Sequence, residues 1–337
     1  MVTVKTPAKL ILSGEHAVLY NQTALAVSID RFVTSTIDHS DNLCLFHCET
    51  LKAKEQASIN ALLKLKDDTL HRHQEFLDKK RPIETVLRRP IDLMQIACID
   101  ALVNGALKDC KGIMLDLTST IPMGLGAGSS AAVIINILFG IFTLLKTPIS
   151  QEAILQLAIK LENLQHGTSS GLDLTTCLYG GLVYFKQGHL LRQKAPSLSL
   201  FLIDASAPSS STGMAVKHVL AFKEDIALWK AFEEITLSME KAIASNDIKT
   251  TRLLINENHA LLQRIGVVPK KVQDFIKELH TLNIAAKISG AGAVGKDANG
   301  GAILAITEDE EALNAIANRY DYCVKKVICC NLGTQII

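Results

Sequence analysis

The sequence predicts an α+β fold in two parts that share a cleft, and three observations carry that prediction. The chain has 337 residues, of which 48% are hydrophobic and 20% charged, enough for two folded globular domains. Strand-like segments open the first half and give way to helices, and a second series of strands and helices begins beyond about Ala195. Glycine-rich turns stand where strands run into the next element in both halves. We therefore place the domains at 1–195 and 196–337.

Taken in order, apolar alternation and β-branched residues predict strands at 2–5, 25–29, 33–37, 43–47 and 112–117. Helical spacing of apolar residues marks 59–65, 91–107, 130–145 and 151–164, with a new start near Leu172 after a Gly and Ser interruption. Gly180-Gly181 breaks into a strand at 182–185. Past the boundary come a strand at 198–204, two long helices between Gly213 and Arg264, a helix at 270–282, and strands at 286–289 and 302–307. The most apolar run, Ala131 to Leu145, contains Asn136, Gly140 and Thr143 and falls short of the roughly 20 residues a bilayer span needs, so it predicts a buried helix. The Arg- and Lys-rich segment 72–89, interrupted by acids and Pro82, is expected to be a solvated, mobile connection rather than a polyanion site.

Charge and cysteine usage exclude several classes. Lys plus Arg number 35 against 34 for Asp plus Glu, so no basic excess argues for nucleic acid, and the expected partner is a small molecule. Eight scattered cysteines match no zinc or disulfide framework and are expected to be reduced, mostly buried thiols of a cytoplasmic protein. The first residues, Met1 to Lys9, lack the apolar core of a signal peptide and predict a first strand.

The segment from Ile121 to Ala132, Ile-Pro-Met-Gly-Leu-Gly-Ala-Gly-Ser-Ser-Ala-Ala, is the most informative. Gly124, Gly126 and Gly128 can adopt positive φ and let successive N–H groups converge on an anion. Ser129 and Ser130 then fall at the first turn of a helix, where free N–H groups and the dipole favour negative charge. An ordinary capped turn is the competing reading. Neither the P-loop nor the Rossmann spacing is met.

Three further clusters stand beside that loop. In Lys9-Leu-Ile-Leu-Ser-Gly-Glu-His, Gly14 turns after an apolar strand and presents Glu15 and His16, either as a charged surface turn or as contacts to a hydroxylated substrate, with Lys9 steadying nearby negative charge. In Glu162-Asn-Leu-Gln-His-Gly-Thr-Ser-Ser-Gly-Leu-Asp173, Gly167 and Gly171 must end the helix near Gln165, so one acid leaves a helix end and the other begins the next element. That suits Glu162 as a hard ligand for Mg²⁺ and Asp173 as acceptor of a hydroxyl proton, or, more plainly, two helix-terminal acids. Lys287-Ile-Ser-Gly-Ala-Gly-Ala-Val-Gly runs from a strand into a turn whose Gly290, Gly292 and Gly295 could pack on the first loop, or simply close a hairpin.

Together these segments resemble the GHMP kinase family, most closely its mevalonate-phosphorylating members. The resemblance extends from Lys9 to about Ile306: Ser-Gly-Glu-His-Ala-Val-Leu-Tyr at 13–20, Pro-Met-Gly-Leu-Gly-Ala-Gly-Ser-Ser-Ala-Ala at 122–132 and Ile-Ser-Gly-Ala-Gly at 288–292, with the His166 to Asp173 segment between them. It implies a domain like ribosomal protein S5 domain 2 followed by a ferredoxin-like one, with ATP and acceptor between. It further implies that Ser130 and Glu162 hold Mg²⁺, that Asp173 is the catalytic base with Lys9 beside it, and that Gly124, Gly126, Gly128, Ser129, Gly290 and Gly292 surround the ATP phosphates. Glu15, His16 and Thr212 would face the acceptor, mevalonate, and the protein would form a homodimer. Phosphoryl transfer needs mainly positioning and charge neutralisation, which this inventory supplies.

Two segments depart from the family pattern. Ser209-Ser210 precede Ser211-Thr212 where a basic residue is usual, and Lys296-Asp297-Ala298-Asn299 interrupt the small residues of the third motif. Lys296 is expected to be solvated. Phosphomevalonate and the acceptors of other GHMP kinases are the alternatives within the family; a catalytically silent ligand-binding relative is the alternative outside enzymes.

Overall fold

A computed structural model describes residues 1–105 and 110–337, and it contains two sheets with helices packed against them. The first sheet begins with β1 (Val2–Ser13) and β2 (Ala24–His39), a long antiparallel pair whose register shifts at Pro7/Ala8. The expected strands at 25–29 and 33–37 are thus two halves of β2, joined through the half-buried Asp30 and Arg31 at the register shift. Strands β3 (Cys44–Cys48), β4 (Ala53–Ala57) and β5 (Ile113–Ser119) extend the sheet on one side of β2, with β3 and β5 parallel. Strands β6 (Leu182–Lys186) and β7 (His189–Gln193) form a hairpin joined to the other end of β2.

Five helices cover this sheet: α1 (Ile59–Leu77), α2 (Pro90–Asn104), α3 (Ser129–Leu144), α4 (Gln151–His166) and α5 (Leu172–Tyr179). The expected end of the second helix at Leu107 lies outside the described residues. As its composition predicts, α3 is buried, packed under β1 and β2. Its polar interruptions have structural causes. The Asn136 carboxamide donates to the Val4 carbonyl and to Thr6 Oγ1 inside the core, so the buried amide is satisfied. A Cβ on Gly140 would lie 2.5 Å from Ile37 Cδ1, so glycine lets the helix approach the sheet.

The segment 72–89 departs from expectation, since α1 continues to Leu77. Arg72 is buried, donating from Nε to the Val86 carbonyl at 2.8 Å and from Nη2 to Thr69 Oγ1 at 2.7 Å. Arg89 bonds Asp92 and Glu55 at the start of α2. Arg72 and Arg89 are thus structural cross-links, while Lys79, Lys80 and Arg88 are exposed as expected.

The second sheet is wholly antiparallel, in the order β11 (Cys323–Val327), β8 (Leu200–Asp204), β10 (Ala302–Ile306), β9 (Ala285–Ser289). Its helices are α6 (Thr212–Val219), α7 (Ile226–Ala244), α8 (Ile248–Arg264), α9 (Lys270–Thr281) and α10 (Glu310–Tyr320); α7 and α8 are the two long helices expected before Arg264, and the short α6 precedes them. The linker between β7 and β8 contains the proposed boundary at Ala195. After β11 the chain returns to the first sheet, where β12 (Gln335–Ile336) pairs antiparallel with β1, Ile336 opposite Val4. No described helix is long and apolar enough to cross a membrane. All eight cysteines are free, Cys323 exposed and five of them buried.

Candidate active site

The glycine-rich loop joins β5 to α3, and its three glycines all take left-handed φ: +74° at Gly124, +67° at Gly126 and +77° at Gly128. Gly128 precedes the first turn of α3 without a side-chain cap, so the N–H groups of that turn, which begins with Ser129 and Ser130, are left for a ligand. Gly126 meets the other glycine loop, which follows β9. A Cβ on Gly290 would sit 3.2 Å from Gly126 Cα, so only glycines allow the two backbones to touch. Gly292 has a local cause instead, because a Cβ there would lie 2.1 Å from the Val267 carbonyl.

Beneath the loop runs the Lys9 side chain, 1% exposed, its stem packed on Gly128. Its ammonium donates to the Gly126 carbonyl at 2.9 Å and pairs with Asp173 Oδ2 at 2.8 Å. Asp173 stands in the first turn of α5, released there by the left-handed turn at Gly171. Glu162, near the end of α4, is buried and accepts a hydrogen bond from the Ser169 hydroxyl. Burial, reinforced by repulsion from Asp173, pushes its carboxyl up to about 7, against the pull of Ser169 and Lys9. Ser130 Oγ lies 3.5 Å from His166 Nε2. Burial holds that imidazole below its usual value, against the attraction of Asp173.

The first turn after β1 is more buried than the sequence suggests. Glu15 pairs with Lys287 of β9, across the seam between the two sheets. His16 directs Nε2 at the Ala291 carbonyl, 3.0 Å away, and burial depresses its imidazole to about 4, so it is neutral at pH 7. Thr212 is exposed at the start of α6, where the Ser211 hydroxyl caps the helix and donates to Glu84. Lys296 is exposed, as expected.

Lys9, Glu15, His16, Glu162, Asp173, Thr212 and Gly290 surround a small pocket of about 120 Å³. Ser129, Ser130, Gly124 and Gly128 open onto an adjoining one of about 480 Å³ that extends to the apolar Leu51, Leu87, Leu93 and Met123, and Asp173 and Thr212 border both. The pair of pockets is suited to an anionic group on the loop, an apolar ring on one side and a small polar acceptor on the other. Sequence reasoning gave no part to Lys287, Ser169 or His166. The signal for Lys287 was a lone lysine in an otherwise small and apolar strand, Ala285-Ala-Lys-Ile-Ser.

The chain is similar to known proteins over most of its length. Residues 94–181 match the family model for the GHMP kinases N terminal domain, and residues 239–325 match that for GHMP kinases C terminal. The mevalonate kinase of Thermococcus onnurineus is 28% identical over 332 residues, 94% of this chain and 92% of that one. Among solved structures, the mevalonate kinase of Methanococcus jannaschii superposes with a TM-score of 0.79 at 19% identity, over 98% of both chains. The Lactococcus lactis galactokinase complexed with galactose gives 0.76 at 14% identity, over 99% of this chain and 94% of that one. Both family models fall, in order, on the two halves that build the cleft, and a kinase fold spans the chain from end to end: the protein belongs to the GHMP kinase family.

Proposed function

We propose that the chain transfers the γ-phosphoryl group of ATP to the hydroxyl of mevalonate. The observation that carries the reading is the contact between the Lys9 ammonium and Asp173 at 2.8 Å, at the foot of the glycine loop. Asp173 Oδ is the base: it takes the hydroxyl proton as the acceptor oxygen bonds to the γ-phosphorus and ADP leaves. The Lys9 ammonium, held against that carboxylate, offsets charge developing on the acceptor oxygen. The backbone at Gly124, Gly126 and Gly128 with Ser129 cradles the phosphates, and Gly290 and Gly292 close over them from the second domain.

The residues fit a magnesium ion. Among the described residues no cluster of three His, Cys, Asp or Glu side chains could hold a metal unaided, but Mg²⁺ takes one or two protein oxygens together with substrate phosphates. The buried Glu162 carboxylate, whose ionised form is disfavoured without a cation, and the Ser130 hydroxyl would supply them. Bound there, Mg²⁺ would neutralise phosphate charge.

Glu15, His16 and Thr212 border the acceptor pocket, and the choice of mevalonate rests on the relatives bearing that activity in their names. The free cysteines accord with a cytoplasmic location, and a homodimer is the proposed assembly, to be checked by sedimentation. The test is ADP release by purified protein with Mg-ATP and mevalonate, phosphomevalonate, galactose or homoserine. Turnover with mevalonate alone is expected. ADP with another acceptor only would overturn the substrate, and none with any acceptor would overturn the kinase reading in favour of a silent relative.

A further inference from the structure

Lys287 is a buried charge at the seam between the two sheets that the reaction just described leaves without a part. It lies in the middle of β9 with no exposed surface. A buried ammonium is tolerated only when paired and hydrogen-bonded, and Lys287 is both. Its Nζ donates to the Ile11 carbonyl at 3.2 Å and pairs with Glu15 Oε1, both in the other domain. Ser289 donates to the same Ile11 carbonyl at 3.4 Å, and the Ala291 carbonyl meets His16 Nε2 at 3.0 Å. From β9 onward the second domain therefore grips the end of β1 and the following turn at Ile11, Glu15 and His16.

Glu15 uses only one oxygen in this grip. Its Oε2 is buried, has no partner among the described residues, and belongs to a residue bordering the acceptor pocket. The charged and titratable groups facing the pair are Lys9 on β1, His16 in the turn and His259 on α8, and none supplies a second negative charge. The turn also has a built-in reporter. The ring of Tyr20, at its end, stacks on Trp229, with centroids 4.1 Å apart and planes 15° from parallel, and Trp229 is the sole tryptophan.

We propose that Lys287 is a positioning residue for phosphoryl transfer: from the second domain it holds the Glu15 carboxylate and the turn to Tyr20 in place, so that Glu15 Oε2 can accept a hydrogen bond from an acceptor hydroxyl. This rests on the acceptor pocket assigned above. Three variants test it: Lys287→Met, Lys287→Arg and the double variant Lys287→Met with Glu15→Gln. Lys287→Met should raise the acceptor KM about tenfold or more and shift Trp229 emission, with kcat and the ATP KM within about threefold of the parent. Lys287→Arg keeps a cation on the strand and should recover most of the acceptor KM.

The double variant removes the stranded charge and should recover the melting temperature while the raised KM and the shifted emission persist. Parental KM and emission in the double variant would overturn the proposal, since Lys287 would then only neutralise a buried acid. If Lys287→Met does not fold, the other two variants carry the same comparison. A parent protein inactive on every acceptor would refute the mevalonate reading, while an unmoved Trp229 emission in folded Lys287→Met or in the double variant would refute this one.

Discussion

Alanine at Gly124 and at Gly126 separates backbone strain from loop contact. At both positions φ is left-handed, +74° and +67°, so alanine at either costs about 1–2 kcal/mol for the backbone alone. The surroundings differ. A Cβ on Gly124 meets nothing within 4 Å, whereas on Gly126 it would lie 3.1 Å from the Ser289 carbonyl oxygen and 3.5 Å from Gly290 Cα. Both neighbours are backbone, so no side chain can rotate away and the facing loop must give by a few tenths of an ångström. Overpacking of that kind costs about 1–3 kcal/mol more.

In nucleotide-free protein, Gly126→Ala should therefore unfold at a lower denaturant midpoint than Gly124→Ala, by that additional free energy divided by the unchanged m-value. It should also lower kcat, because the Gly126 carbonyl that receives the Lys9 ammonium moves with the loop. Equal midpoints for the two variants would refute the argument that the loops touch backbone to backbone.

Three other outcomes follow from the site. Asp173→Asn should reduce kcat by about 10²- to 10⁴-fold with ATP affinity near that of the parent, measured by ADP release and nucleotide titration; parental turnover would remove Asp173 as the base. Glu162→Gln should raise the Mg²⁺ concentration for half-maximal rate about tenfold or more, and an unchanged metal titration would count against Glu162 as a ligand. Burial holds His16 down to about 4 and His259 to about 3, so below pH 6.5 the unfolded chain binds protons that the native state does not. Their contribution is present in full above pH 6.5 and is lost as pH falls towards those values, so His259→Leu should flatten the acid limb of melting temperature against pH, and an unaltered limb would refute it.

The sequence made local features legible and left distant ones hidden. Glycines and a helix start showed the phosphate loop, and Gly167 and Gly171 correctly separated the helix carrying Glu162 from the one carrying Asp173. Exposed edge elements were harder. Strand β4, Ala-Lys-Glu-Gln-Ala, has no β-branched residue and exists through its pairing with β3, while β11 carries two lysines on an exposed edge. Helix α1 was read too short because Asp67 and Asp68 break the apolar spacing that Thr69 and the stem of Arg72 restore. The pair Lys287–Glu15 spans 272 positions, and no periodicity announces a contact between two domains.

One edge of the first sheet is closed by a strand that follows the second domain in the chain. With Ile336 opposite Val4, and Cys330 N–H bonded to the Ser28 carbonyl beside it, the first domain cannot complete its sheet on the ribosome until the second has emerged. Contacts of such long sequence separation carry a large loop-closure cost and form slowly. Completion of the first sheet thereby waits on residues that follow the second domain in the chain, with that edge of β1 left open until then.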